Sequence, residues 1–396
     1  MTATPATDHP FADDWSARTR AQLDRPTSHK WSRFPGTIGA WVAETDFGTA
    51  PAVTAALQRA LAEDELGYLS MSTRAALAEA TANWHRSAYS WDIAPEQIRD
   101  LADVLTGYEF ALSRVPDGAV IVPTPAYMPF LSLTAALGRE VIEVPGRVEN
   151  GRWVHDLDGI DAAFAAGGTV LVLCNPHNPT GSVATRAELE ALAETVERHR
   201  GRVFSDEIHA PLRFDGREHV PYASVSERAA AQTITATSAS KAWNLPGLRT
   251  AQLLLSRPED AAAFDASAFA MIRGANTPGA LAAIAAYTEG SDWLDELLDY
   301  LDGNRRRLGE LLAELLPEVR WSSPEATYIA WLDVSALGLT SSAAEFFREH
   351  AGVALTDGTA CGTGYGDHVR LVFAMPRPLL EETVRAMADA VRAAEG

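Results

Sequence analysis

Cysteine is nearly absent from this 396-residue chain, which carries only Cys174 and Cys361. With no CxxC pair, neither a zinc ribbon nor a disulfide framework can be built. Both thiols are expected to be free and buried in a reducing compartment, the cytoplasm. Positive charge is also short: Lys plus Arg is 33 against 53 Asp plus Glu, a formal net charge of −20. That balance excludes a broad binder of nucleic-acid backbone, which needs spare cations to displace counterions. A local cationic pocket for a small anion stays open. No apolar run approaches the roughly 18 residues of a membrane span. The segment MTATPATDHPFADDW lacks the basic-then-apolar order of a secretory signal. No internal repeat is present, nor any low-complexity tract longer than a few alanines.

What is present supports a folded core, since hydrophobic residues make up 47% of the chain. The first 47 residues are irregular and punctuated by Trp15, Trp31 and Trp41, as in an arm packed on a larger body. From about residue 50, short β-rich runs (119–122, 141–144, 169–174, 202–204, 233–237 and 251–255) alternate with helical stretches. Thr185 with Glu188 three residues on reads as a capping box. This alternation predicts an α/β fold with a mainly parallel sheet covered on both faces. After about residue 286 leucines recur at i, i+3, i+4 and i+7 (294, 297, 298, 301, and again 308, 311, 312, 315), predicting a long helix bent near Gly303. Strands at 328–334 and 369–373 and helices at 342–350 and from Pro378 complete a smaller α+β domain.

Three segments carry chemistry. Thr237-Ser-Ala-Ser-Lys241 places two hydroxyls beside a lysine, and Arg249 follows eight residues on. A lysine at a strand end among phosphate-binding groups suits a Schiff base to an aldehyde cofactor that also bears a phosphate. Alone, the segment reads more readily as a surface Ser/Lys turn. Cys174-Asn-Pro-His-Asn-Pro-Thr-Gly181 follows an apolar run and holds Asn178 in a tight turn at the strand's carboxyl end, where open α/β sheets bind ligands. In Phe204-Ser-Asp-Glu-Ile-His209, Asp206 is either the partner of a protonated ring nitrogen or a cap for the next turn. His177, His209 and His219 show no metal-ligand spacing, so no metal is expected. Gly362-Thr-Gly-Tyr-Gly366 lacks the dinucleotide spacing, and Trp243 reads as a packed wall.

In this order and spacing the segments resemble pyridoxal-phosphate enzymes of fold type I, aminotransferase class I/II. Ser28-His-Lys-Trp31, Trp41-Val-Ala-Glu-Thr-Asp-Phe47, Thr124-Pro-Ala-Tyr-Met-Pro-Phe130 and Ser205-Asp-Glu-Ile-His209 are similar to the MalY/PatB-type branch of cystathionine β-lyases and cysteine-S-conjugate β-lyases. The resemblance implies an aspartate-aminotransferase-like fold: an arm over 1–47, a large domain binding pyridoxal 5′-phosphate over 48–286 and a small domain over 287–396. It implies that Lys241 carries the cofactor and shuttles the Cα proton. Asp206 would keep the ring nitrogen protonated, Tyr127 stack on the ring, and Asn178 and His209 face its phenolic oxygen. Ser238, Ser240 and Arg249 would hold the phosphate, helped by Tyr68 from a neighbouring subunit of a homodimer and by Gly107 and Tyr108 in an amide-lined loop, Thr106–Phe110. Arg370, with Asn178 and Tyr127, would hold the substrate, an amino acid. Glu109 departs from the pattern, since a carboxylate beside a phosphate is unfavourable. It is expected to point away or to contact substrate.

The implied function is α,β-elimination of cystathionine or another cysteine S-conjugate to pyruvate, ammonia and a thiol. An aminotransferase, or a related reaction on an S-substituted cysteine in a specialised pathway, uses the same residues and is the alternative. A catalytically silent binding protein would not need Lys241 together with Asp206, Asn178 and Arg370. The leaving thiol is not written in the sequence.

Overall fold

Seven strands form the larger sheet: β1 (Ile98–Leu101), β2 (Ala119–Thr124), β3 (Val141–Pro145), β6 (Gly168–Cys174), β7 (Arg202–Asp206), β8 (Thr233–Thr237) and β9 (Ala251–Leu254). The computed structural model describes residues 11–267, 274–339 and 341–395. The spatial order is β1-β9-β8-β7-β6-β2-β3, with β9 antiparallel to both neighbours and every other pairing parallel. A hairpin of β4 (Arg147–Glu149) and β5 (Arg152–Val154) follows β3.

The sheet is covered on both faces, which is why β6 reads as an unbroken apolar run. Val170, Val172 and Cys174 enter one buried cluster with Tyr108, Phe130 and Phe204. Leu171 and Leu173 enter the other, with Leu189, Leu192 and Val196. The period of two along the strand thus feeds two separate cores. On the second face lies α5 (Arg186–Arg198), started by the capping box: Thr185 N donates to Glu188 Oε2 at 2.7 Å and Glu188 N to Thr185 Oγ1 at 3.3 Å.

The consequence for the site is topological. β2, β6, β7 and β8 lie side by side and parallel, so the loops that leave their carboxyl ends are neighbours. Tyr127, Asn178 and Lys241 follow β2, β6 and β8 on those loops while Asp206 ends β7 itself, and the register sets Cys174 opposite Asp206 and Asp206 opposite Ala236. This is where open α/β sheets present ligand-binding groups.

A smaller antiparallel sheet has the order β10-β11-β13-β12, from Arg320–Trp321, Ile329–Asp333, His368–Val372 and Thr356–Asp357. Leu332, Val369 and Leu371 pack on leucines of α7 (Ser291–Leu315) and on α8 (Arg377–Glu395) in one core shared with the N-terminal arm. The helix α7 runs unbroken through Gly303, as the leucine pattern predicts. A Cβ at Gly303 would lie 2.4 Å from Arg377 Nη2, so the glycine makes room for that side chain, whose guanidinium sits over Tyr300.

The arm is anchored by aromatics: the Trp15 ring meets Phe47, Trp293 and Tyr300 at 5.2–5.8 Å. Both cysteines are buried free thiols. Among the described residues no helix is long and apolar enough to cross a membrane.

Candidate active site

A cavity of about 200 Å³ opens at the carboxyl ends of the parallel strands. Tyr127, Asn178, Asp206, His209, Ser238, Ser240, Lys241 and Arg249 all line it. Residues from seven segments of the sequence therefore converge on one space.

Lys241 follows β8, and its Nζ donates to the carbonyl of Ala43 at 2.9 Å. Burial brings its pKa down to about 8, and the nearby Arg370 pushes the same way. Asp206 ends β7 and is buried; Oδ1 accepts from Ile208 N at 3.1 Å. Burial pushes its pKa up to about 7, opposed by that N–H and by Lys241. An ionised carboxylate here is under-compensated, so the pocket is built for a cationic or N–H partner. His209 is buried with Nδ1 unpartnered, its ring edge-on to Tyr328 at 6.1 Å. Burial first, then the charges of Lys241 and Arg370, hold it down to about 3, so the ring is neutral.

Arg370 lies beside the cavity on β13. Nη1 donates to Asn178 Oδ1 at 3.1 Å and Nη2 to Trp41 O at 2.9 Å, while Nε has no partner. Among the described residues no carboxylate lies within ion-pair distance of this buried guanidinium, although a charge so placed is costly without one. It is poised for an incoming anion. Tyr127 caps α4 (Met128–Ala136), and burial raises its phenol pKa, followed by the effect of Asp206.

At the other end of the cavity Arg249 pairs with Asp103 at 2.7 Å, and both are exposed enough for water to weaken the pair. Ser238 Oγ is spent within its turn: it donates to Thr250 O at 2.6 Å and accepts from Ser240 N at 3.0 Å. Ser240 also lines the cavity.

The amide-lined loop expected at 106–110 is not a loop. Those residues lie inside α3 (Val104–Ser113), capped by Asp103, whose Oδ1 accepts from Thr106 N at 2.8 Å. The cavity is lined by Ala102, Asp103, Val104 and Leu105, so the helix N-terminus borders the site a few residues earlier than expected. Gly107 instead lets the helix press on the sheet, since a Cβ there would lie 2.8 Å from Leu253. Tyr108 is fully buried, packed against Phe130 and Phe204 and bonded to Thr134. Neither lines the cavity, and neither does Glu109. Tyr68 is fully exposed and does not line the cavity of its own chain.

The sequence reading missed the arm's part. The carbonyl of Ala43 receives Lys241 Nζ and also the hydroxyl of Tyr328 at 3.2 Å, and that of Trp41 receives Arg370. Backbone acceptors leave no residue-type signal. Tyr328 carried one, as the aromatic residue that precedes β11.

The family model for class I and II aminotransferases matches residues 41–387. The chain belongs to that family. It is 36% identical to the cystathionine beta-lyase of Corynebacterium glutamicum, over 93% of this chain and 98% of that protein. A solved structure from Corynebacterium diphtheriae, provisionally named a PLP-dependent beta-cystathionase, superposes with a TM-score of 0.89 at 38% identity, covering 95% of this chain and 98% of the other. Cystalysin of Treponema denticola, solved with pyridoxal 5′-phosphate, gives 0.87 at 26% identity, covering 93% and 96%.

The cofactor of this family member is pyridoxal 5′-phosphate, and the residues present suit it. A buried, uncompensated carboxylate at Asp206 matches a protonated ring nitrogen. A lysine near neutrality matches an aldehyde. The α3 N-terminus with Ser240 and Arg249 matches a phosphate.

Proposed function

We propose that the protein is a carbon–sulfur β-lyase acting on a cysteine S-conjugate such as cystathionine. The observation that carries this reading is the pairing of Lys241, close to neutrality in its pocket, with the buried Arg370 that lacks a carboxylate. Two groups so placed suit a substrate with a proton to lose at Cα and a carboxylate to bind. The net change is R–S–CH2–CH(NH3⁺)–COO⁻ plus water to R–SH, CH3–CO–COO⁻ and NH4⁺.

Pyridoxal 5′-phosphate, when bound, supplies an electron sink for the pair left as Cα loses its proton. Asp206 would hold a proton at the ring nitrogen, and His209, kept neutral, and Asn178 would offer polar atoms to the rest of the ring. The wall of Tyr127 restricts tilting. Lys241 would hold the cofactor through Nζ, and the same atom, when free, would take the Cα proton. Arg370 and Asn178 grip the carboxylate, which fixes the Cβ–S bond in one orientation. The bond then breaks with its electron pair on sulfur, and the thiolate leaves.

Tyr68 supports a homodimer with shared sites. It projects from an exposed apolar stretch with Leu61, Leu66 and Met71, the kind of surface a second copy covers. The two buried thiols suit a cytoplasmic location. The separation of the larger sheet (98–254) from the smaller (320–372) supports domains over 48–286 and 287–396, with 1–47 as the arm.

The test is incubation with cystathionine and a set of S-substituted cysteines, with no 2-oxo acid added. Equimolar thiol and pyruvate are expected. Turnover that requires a 2-oxo acid and leaves the C–S bond intact would make the protein an aminotransferase.

A further inference from the structure

A second cavity, about 460 Å³, has no part in the chemistry described so far. The smaller sheet supplies one wall. Antiparallel register pairs Trp331 with Arg370 and Asp333 with His368, which puts all four side chains on the same face of that sheet. His368 is therefore two residues along β13 from Arg370, a span of about 6.7 Å. Loops of the larger sheet supply the other wall through Pro125 and Thr180, each two residues from a group of the first cavity, Tyr127 and Asn178. A substituent on the sulfur of a substrate anchored at Arg370 has this space within reach.

The walls are aromatic. Trp331 stacks on His368 at 5.2 Å with 22° between planes, and Tyr365 stands edge-on to both, at 5.8 and 5.5 Å. Across from them Trp153 of β5 lies flat on His177 at 3.8 Å and against Gly146, where a Cβ would collide with its ring. Trp331 sits on an interior strand yet stays partly uncovered, and Tyr365 likewise, so their faces are not closed by the chain itself. Two lining residues also hold a buried ring nitrogen without a partner, Trp153 Nε1 and His368 Nδ1. At the rim Arg320 and Asp333 form an ion pair at 2.8 Å.

Resting on the lyase reading, we propose that this cavity seats a planar aromatic ring carried on the sulfur of the substrate, and so sets the class of S-conjugate that is cleaved. The partly uncovered rings of Trp331 and Tyr365 favour a flat group over a branched aliphatic one.

The experiment separates binding from turnover. Lys241→Ala, loaded with cofactor, is titrated calorimetrically with S-(4-nitrobenzyl)-L-cysteine and with S-methyl-L-cysteine, alone and combined with Trp331→Ala or Trp331→Phe. The nitrobenzyl compound should bind more tightly than the methyl compound. Trp331→Ala should shrink the ratio of the two Kd values about 10-fold, and Trp331→Phe should restore most of it. An unchanged ratio, or equal weakening of both ligands, overturns the proposal. Failure of the lyase reading looks different: the ratio behaves as expected, while the wild-type holoenzyme releases no thiol from either compound.

Discussion

Lys30 and Asp46 form an ion pair 2.8 Å long in which both side chains are buried. The second oxygen of Asp46 accepts from Trp31 Nε1 at 2.9 Å, and Lys30 Nζ also reaches the carbonyls of Glu44 at 3.1 Å and Ala374 at 3.3 Å. This fully bonded pair pins residues 41–46, whose carbonyls at Trp41 and Ala43 receive Arg370 and Lys241. The arm is thereby a structural part of the site.

Removing one partner of such a pair leaves the other charge buried. Lys30→Met should lower the unfolding free energy by about 3–5 kcal/mol, and Lys30→Met with Asp46→Leu should recover a large part of it. Urea denaturation of both variants measures this. A loss below about 1 kcal/mol in the single variant would mean that water reaches the pair.

Lys241 titrates at about 8, so its free-amine fraction rises steeply through neutral pH. The rate at which apoprotein takes up the cofactor should climb with pH and level off above about 8, followed by the growth of the visible band. Borohydride should then fix the cofactor on Lys241 alone, as read by peptide mapping. A flat rate across this range, or an adduct on another lysine, counts against the assignment.

Asp206 gives a pH effect of definite sign. Its folded-state value, about 7, lies above the ordinary 3.8, because burial favours the neutral acid. Its contribution to stability is complete below about pH 4 and is lost as pH rises to about 7, with a slope of up to about 1.4 kcal/mol per unit. Apoprotein should therefore lose stability over that window, and Asp206→Asn apoprotein should lose less. A cofactor that pairs with the carboxylate should widen the gap in Tm between holo- and apoprotein as pH rises. Parallel curves for wild type and Asp206→Asn would remove the carboxylate from this role.

How far the sequence was legible depends on where the information sits. Asn178, Asp206 and Lys241 each end or follow within a few residues a β-rich run, so strand end and polar group could be read together. The parallel order then had to bring them into one cavity. The start of α3 was misread because Gly107 drew attention as a loop glycine, whereas the helix begins at the Asp103 cap and the glycine serves helix–sheet contact. β1 went unseen since Ile-Arg-Asp-Leu is short and half charged, and only its pairing with β9 makes it a strand. The Lys30–Asp46 pair and the Trp331–His368 stack depend on tertiary register, and no local pattern announces either.

Tyr68 makes a prediction about assembly. It is exposed in its own chain, yet family resemblance assigns it to a neighbour's phosphate. Mixing Tyr68→Phe with an inactive Lys241→Ala chain should regenerate sites in which both residues are intact. After confirmed subunit exchange, activity should exceed that of the two unmixed proteins added together. Strict additivity would mean that each site is made by one chain.

Arg370 separates function from stability. Its guanidinium is buried with two neutral acceptors, an unpartnered Nε and no carboxylate in ion-pair range among the described residues. Burial alone already lowers its pKa. Arg370→Met should lower kcat/KM by about 30-fold or more, the 2–5 kcal/mol expected when one side of a buried charge pair is cut away. Arg370→Lys should rescue little of it, because an ammonium cannot reproduce the two-pronged grip on a carboxylate. The apoprotein tells the opposite story. Without substrate there is no ion pair to break, so Arg370→Met should cost less than about 1 kcal/mol in urea denaturation, despite the hydrogen bonds lost to Asn178 and Trp41. A drop of about 3–5 kcal/mol would reveal that the guanidinium already holds an anion in the folded chain, and the carboxylate-binding role would fall with it.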